Sequence, residues 1–264
     1  MTIAAVPQVR TVHVTRYVTP LREGGSLPAI VEADDEGLYV LKFRGAGHGP
    51  RALIAEFVSG EIGRALGLRV PEIVFADLHP DLARTEPDPE IFALIKDSAG
   101  LNLALDYLPG SVTFDPLADS PAADFASRVV WFDALVTNVD RTARNTNILR
   151  WHGDYWLIDH GATLYFHHSA GWEAARERAR DPFPLVRHHV LLHRANRLED
   201  ADAASARSLN ADVVAGIVAQ IPEVRLSESG SEDDAARRRR AYERYLTERL
   251  TPPRPFLEEA ARAR

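Results

Sequence analysis

The sequence predicts an α+β protein in two parts, a strand-rich part over residues 1–107 and a mainly helical part over 108–264. Two observations carry this. Before about residue 107, β-branched and apolar runs alternate with turn-forming clusters. After it, apolar residues recur at helical spacing. Segregation of that kind is the mark of an α+β chain. At 264 residues the chain is long enough for one large domain or two lobes.

Val12–Thr19 reads as the first strand, followed by a turn in Leu21–Pro28. Ala29–Ala33 and Leu38–Phe43 read as two more, joined by a hairpin at Asp34-Asp35-Glu36-Gly37. Pro50–Leu66 is a helix by its spacing of Leu53, Ile54, Phe57, Val58, Ile62 and Leu66, with Gly67 as its stop. Val70–Leu78 and Ile91–Lys96 read as strands, and Leu101–Leu108 as an apolar run closed by Pro109-Gly110. The boundary between the parts falls near Tyr107–Asp115. Ala122–Thr137 is then a helix, and Ile148–Trp151 with Tyr155–Ile158 form a hairpin around His152-Gly153-Asp154. Helices are expected at Trp172–Arg180, Leu185–Leu198, Asp212–Gln220 and Asp234–Leu250, with a mobile or docked tail after Thr251.

Composition narrows the function classes. The chain is 45% hydrophobic and 26% charged, as soluble globular proteins are. No run of ~20 apolar residues predicts a membrane span, and no signal-peptide pattern opens the sequence. With no cysteine there is no disulfide frame or thiolate metal site, and a cytoplasmic location is the natural expectation. A net charge of −7 argues against a broad nucleic-acid interface. The basic run Arg237–Arg240 follows Glu232-Asp233-Asp234 and reads as a solvated helix face.

The chemistry concentrates in residues 138–161. Asp140 is followed five positions later by Asn145, and an apolar hairpin then ends in Asp159-His160-Gly161. Phosphoryl transfer needs a carboxylate to orient the acceptor hydroxyl, and hard oxygen ligands for the Mg²⁺ that carries ATP phosphates. Asp140 suits the first task and Asn145 and Asp159 the second. The spacing by itself equally describes an Asx-turn loop after a helix, and it does not decide between Asn145 and Asn147.

Lys42 lies in an otherwise apolar strand, and a cation there needs a partner. Glu56 in the next helix is the first candidate, with Glu61 about half a turn round. Such a pair would hold the ammonium against ATP phosphates. The alternative is an edge lysine facing water; the downstream loop favours the pair. Gly24-Gly25-Ser26 could offer backbone N–H groups to phosphate, and a plain hairpin turn has an equal claim on it. Gly45–Gly49 is a second flexible loop, ranked below it. Asp106, Tyr107 and Leu108 stand at the change of texture, where linker backbone could meet an adenine edge. His189 and His193, four apart on an expected helix, could hold zinc as in a metallohydrolase.

Taken together, Asn138–Asn145 and Leu157–Gly161 resemble the catalytic and metal-binding segments of HipA-like kinases, and are similar to those of phosphatidylinositol 3-/4-kinases. Glu56–Pro71 resembles the helix and exit turn that follow the ATP-binding lysine strand in HipA-like proteins. The resemblance covers about residues 12–170 and implies a two-lobed protein-kinase-like fold. It also implies an ATP- and Mg²⁺-dependent phosphotransferase acting on a protein Ser/Thr or small-molecule hydroxyl. By position, Lys42 would serve the ATP phosphates and Glu56 would be its partner. Asp140 would be the catalytic carboxylate, and Asn145, now favoured over Asn147, would bind Mg²⁺ with Asp159. The segment that precedes the kinase core in toxin-type relatives is not in this sequence, so an antitoxin-type partner is not expected. A catalytically silent nucleotide-binding scaffold is the competing reading.

Overall fold

The computed structural model describes residues 6–21, 27–46, 49–174, 176–227 and 231–264. They form two compact units. One comprises Pro7–Leu53 and Pro71–Gly110; the other comprises Ile54–Val70, Ser111–Arg264 and the described part of Met1–Val6.

The first unit is a closed five-stranded barrel with strand order β1-β2-β3-β5-β4. Its strands are β1 (Thr11–Pro20), β2 (Ala29–Ala33), β3 (Leu38–Lys42), β4 (Ile73–Leu78) and β5 (Gly100–Asp106). Alternation builds it: Val12 and Val14 of β1 point into a core shared with Val31, Tyr39, Leu41, Val74, Ala76 and Ala104. A parallel pairing of Thr11–His13 with Phe75–Asp77 closes the ring. The expected β2–β3 hairpin forms, with Glu36 at φ 64° and the Ala33 N–H donating to the Gly37 carbonyl at 3.0 Å. One end is tied by Arg10. Its guanidinium meets Glu72 at 2.9 Å and Asp35 at 2.6 Å, and donates to the Tyr39 hydroxyl at 2.7 Å.

The helix predicted from Pro50 is α1 (Gly49–Ala65), and the division between the units falls within it. Gly67 ends it at φ 71°. The strand expected at Ile91–Lys96 is instead the helix α2 (Pro89–Asp97). Asp88 caps it by accepting from the Glu90 N–H, Pro89 opens it, and Ile91 and Ile95, one turn apart, enter the barrel core. The Asp-Pro start was the decisive signal, because a short apolar run alone fits either element.

The second unit contains the end of α1, a three-stranded sheet and the remaining helices. The sheet, in order β6-β7-β8, consists of β6 (Val112–Thr113), β7 (Ile148–Trp151) and β8 (Asp154–Leu157). His152 at φ 49° and Gly153 at φ 86° make the two-residue turn that the sequence signals. Asp154 opens β8 and pairs with Arg69 at 2.9 Å. The buried α3 (Ala123–Val136) precedes the sheet's hairpin, and α4 (Leu198–Ser208), α5 (Ala211–Ala219), α6 (Glu223–Leu226), α7 (Glu232–Leu250) and α8 (Pro255–Ala263) follow it.

Two expectations in this unit are corrected. Residues 172–174 and 176–197 do not form the two expected helices; they contain short 3-10 turns at Trp172–Ala174, Arg176–Arg180, Pro184–His188 and Leu192–Arg194. The backbone at His189 is drawn out of helical conformation to bridge Thr142, and the Val190 N–H donates to the Arg141 carbonyl at 3.1 Å. The Arg237–Arg240 run is not wholly a solvated face. Arg237 is exposed beside Asp234, but Arg239 donates to the carbonyls of Val218, Ala219 and Ile221 at the end of α5. The tail docks: Phe256 of α8 is buried edge-on against Trp131 at 5.8 Å.

Candidate active site

The loop after α3 is shaped by its own hydrogen bonds. Thr137 ends the helix in the left-handed region at φ 55°. The Asn138 side-chain oxygen accepts from the Asp140 N–H at 3.0 Å, and the Thr142 N–H donates to the Asn145 carbonyl at 2.9 Å. This brings Asn145 back over Asp140. The Asn145 amide donates to Asp140 Oδ2 at 2.7 Å, and the Asn147 amide donates to the same oxygen at 3.2 Å. Asn145 is exposed, whereas Asn147 is buried at φ 49°. Both asparagines that the spacing left open therefore meet the carboxylate. Asp140 is half-buried, and burial raises its pKa; the negative charge of Asp159 adds to the rise, while the two amides and Arg141 oppose it.

Asp159 follows the hairpin. The Ile158 N–H donates to the Asn147 carbonyl at 3.0 Å, which joins the end of the hairpin to the base of the loop. Asp159 is exposed and left-handed at φ 54°, a conformation that Asp tolerates better than most residues and that functional sites often hold. The next residue is anchored from α1: the His160 N–H donates to Glu56 Oε2 at 2.8 Å, and the His160 ring nitrogen lies 3.4 Å from Oε1. Glu56 and His160 are fully buried. The Thr163 hydroxyl donates to the His160 carbonyl at 2.8 Å and meets Ser59 of α1 at 2.6 Å. Glu56, chosen from the sequence as a partner for Lys42, thus holds the turn that carries Asp159.

Beneath the loop lies a network centred on Asp133, a residue the sequence does not single out. Asp133 of α3 is buried, and its carboxylate accepts from Asn138 Nδ2 at 2.8 Å, Arg141 Nε at 2.6 Å and His189 Nε2 at 2.8 Å. Burial opposes its ionisation, but the Arg141 charge and the His189 hydrogen bond outweigh this and hold the carboxyl well below the usual carboxylate range. Arg141 Nη1 donates to the carbonyls of Asn147 and Ile158. A signal was present, since a lone Asp within Val129–Val136 cannot stay buried without partners.

His189 and His193 do not share a helical face. His189 is buried on Asp133 and accepts from the Leu191 N–H at 3.0 Å, while His193 is exposed. Among the described residues, no group of three or more His, Cys, Asp or Glu side chains could hold a metal ion.

The other predicted positions lie in the barrel unit. Lys42 ends β3, half-buried and in register with Leu103. Arg44 and Gly45 just after it are fixed by α2 and β5, their N–H groups donating to the Asn102 side chain at 2.8 Å and the Ser98 hydroxyl at 3.0 Å. Asp106 ends β5; its N–H donates to the Glu72 carbonyl at 2.8 Å and that of Tyr107 to the Leu38 carbonyl at 2.9 Å. Leu108 is buried. Burial, then the Glu72 charge, raises the pKa of Asp106. Gly24, Gly25 and Ser26 lie outside the described residues, as do Gly47 and His48 of the second glycine loop.

A small barrel, the helix α1 and a helical unit carrying an Asp–Asn loop and an Asp-His-Gly turn are the parts of a protein-kinase-like fold. Solved structures bear out that class of fold. The Helicobacter pylori proinflammatory kinase CtkA superposes with a TM-score of 0.57 over 97% of this chain and 99% of its own, at 14% identity. The Golgi casein kinase with Mn/ADP bound gives a TM-score of 0.52 over 96% and 73%, at 12% identity. No curated protein matches the sequence. The model of the HipA-like kinase family matches residues 14–177, more than half of the chain, and the protein belongs to that family.

Proposed function

We propose that the protein is a Mg²⁺/ATP-dependent phosphotransferase acting on a hydroxyl of a protein Ser/Thr or a small molecule. The observation that carries this is the convergence on Asp140. One of its carboxylate oxygens is held by two amides, from Asn145 at 2.7 Å and from Asn147 at 3.2 Å. A carboxylate fixed in this way suits a group that orients a hydroxyl and takes up its proton.

The donor set fits a hard divalent cation. The Asp159 carboxylate and the Asn145 amide oxygen are the ligand types Mg²⁺ takes, and positive charge beside Asp159 would offset its repulsion of Asp140. Bound there, the metal would neutralise charge on the transferring phosphate. Asp140 orients the acceptor, Asn147 keeps its carboxylate in place, and Glu56 fixes the turn behind Asp159. Lys42, with Gly24, Gly25 and Ser26, is assigned to the ATP phosphates. The Asp106–Leu108 backbone is assigned to the adenine edge, in an ATP-binding part over 1–107 that complements a helical part over 108–264. Family membership supports these assignments, as does the Mn/ADP of the Golgi kinase.

The first test pairs Mg-ATP binding with transfer. Asp140→Ala is expected to keep Mg-ATP binding within a few-fold and to lose about 10²-fold or more in transfer rate. Unchanged behaviour of this variant would instead favour a nucleotide-binding scaffold.

A further inference from the structure

We propose that His189 is a positioning residue that holds both carboxylates of the site in register. It lies beyond residue 177, where the family match ends. The proposal rests on the kinase reading and adds a component contributed by a later segment of the chain.

The chain of contacts is short. His189 Nε2 donates to Asp133 Oδ2 at 2.8 Å, the same oxygen that accepts from Arg141 Nε at 2.6 Å. Its other nitrogen accepts from the Leu191 N–H at 3.0 Å, which selects the neutral tautomer with the proton on Nε2. The ring therefore has one orientation and one donor, and that donor is spent on Asp133. The backbone around it grips the loop directly: Thr142 bridges His189, and the Val190 N–H donates to the Arg141 carbonyl at 3.1 Å.

Arg141 converts this grip into geometry at two places. It is the residue after Asp140, and its Nη1 donates to the carbonyls of Asn147 and Ile158. Asn147 donates to Asp140, and Ile158 precedes Asp159. One fully buried guanidinium thus ties the acceptor-side loop to the metal-side turn, and its angle is set by Asp133. With His189 removed, Asp133 loses one of its three side-chain donors and the segment carrying Val190 loosens from the loop. Misplacement of a reacting group by a fraction of an ångström lowers turnover without abolishing nucleotide binding.

The test compares wild type with H189Q and H189N. Glutamine can place an N–H where Nε2 stands and keep the Asp133 bond. Asparagine can keep an acceptor for the Leu191 N–H but falls short of Asp133. Hydrogen exchange is measured in peptides covering 138–147 and 156–163, together with kcat and KM for ATP. The expected result for H189N is exchange at least tenfold faster in both peptides, with kcat at least tenfold lower and KM for ATP within about threefold. H189Q should recover most of both. Exchange unchanged in H189N, or H189Q no better than H189N, would overturn the proposal. A wild type without transfer activity would count against the kinase reading, while the exchange comparison would still decide the role of His189. H189A supplies a third comparison if it folds.

Discussion

At the scale of single residues, Asp133 is the charge on which the site is built. It is ionised, buried and shared among Asn138, Arg141 and His189. Removing one partner of a buried ion pair leaves the other charge uncompensated. Asp133→Asn is therefore expected to lower unfolding free energy by about 3–5 kcal/mol in denaturant titrations. The acid limb of stability follows the same group. Its folded pKa lies below the unfolded value of 3.8, so its contribution is present above that value. The contribution is lost as pH falls from about 3.8 through the lower folded value. Stability of the Asn variant should accordingly decline less steeply than wild type below that pH. The sequence offered Asp140, Asn145 and Asp159 as candidates through the order of a short local segment, and the structure brings Asn145 and Asn147 onto Asp140. The sequence concealed the work of Asp133 and His189, whose meeting depends on a contact between segments far apart in the chain.

Among the elements, α3 matters most because it delivers the Asp140 loop from its C-terminus. That terminus is capped from a distance. Arg249 of α7 donates from Nε to the Leu135 carbonyl and from Nη2 to the Ala134 carbonyl, both at 2.7 Å. Its Nη1 reaches the Asp181 carbonyl at 2.9 Å. A buried cation at a helix C-terminus satisfies orphan carbonyls and complements the helix dipole. Arg249→Met keeps the apolar stem but strands those carbonyls, and a loss of about 3 kcal/mol is expected from thermal or denaturant unfolding. The main strands, α1, α3 and the β7–β8 hairpin were readable because alternation, helical spacing and the His152-Gly153 turn act locally. The 3-10 segment around His189 was not, because its apolar spacing suits a helix and only its attachment to Thr142 and Arg141 pulls it out of one. Helix α2 departs from the expected strand for a different reason: Asp88-Pro89 signals a helix start, but the brief apolar run after it fits either element.

For the whole molecule, a barrel unit carries Lys42 and a helical unit carries Asp140, Asn145 and Asp159, in a chain that belongs to the HipA-like kinase family. The fold class was legible because strands and helices are segregated along the sequence. The acceptor was not, since nothing in the motif specifies which hydroxyl Asp140 faces. The central claim is that Asp159 helps hold the metal for phosphate transfer from ATP. Its most direct test is a γ-phosphate-labelled ATP assay with wild type and Asp159→Asn, scoring autophosphorylation and transfer into protein and small-molecule fractions. Magnesium-dependent label from wild type, reduced by about 10²-fold or more in the variant, is the predicted result. Label that persists undiminished in Asp159→Asn would contradict it.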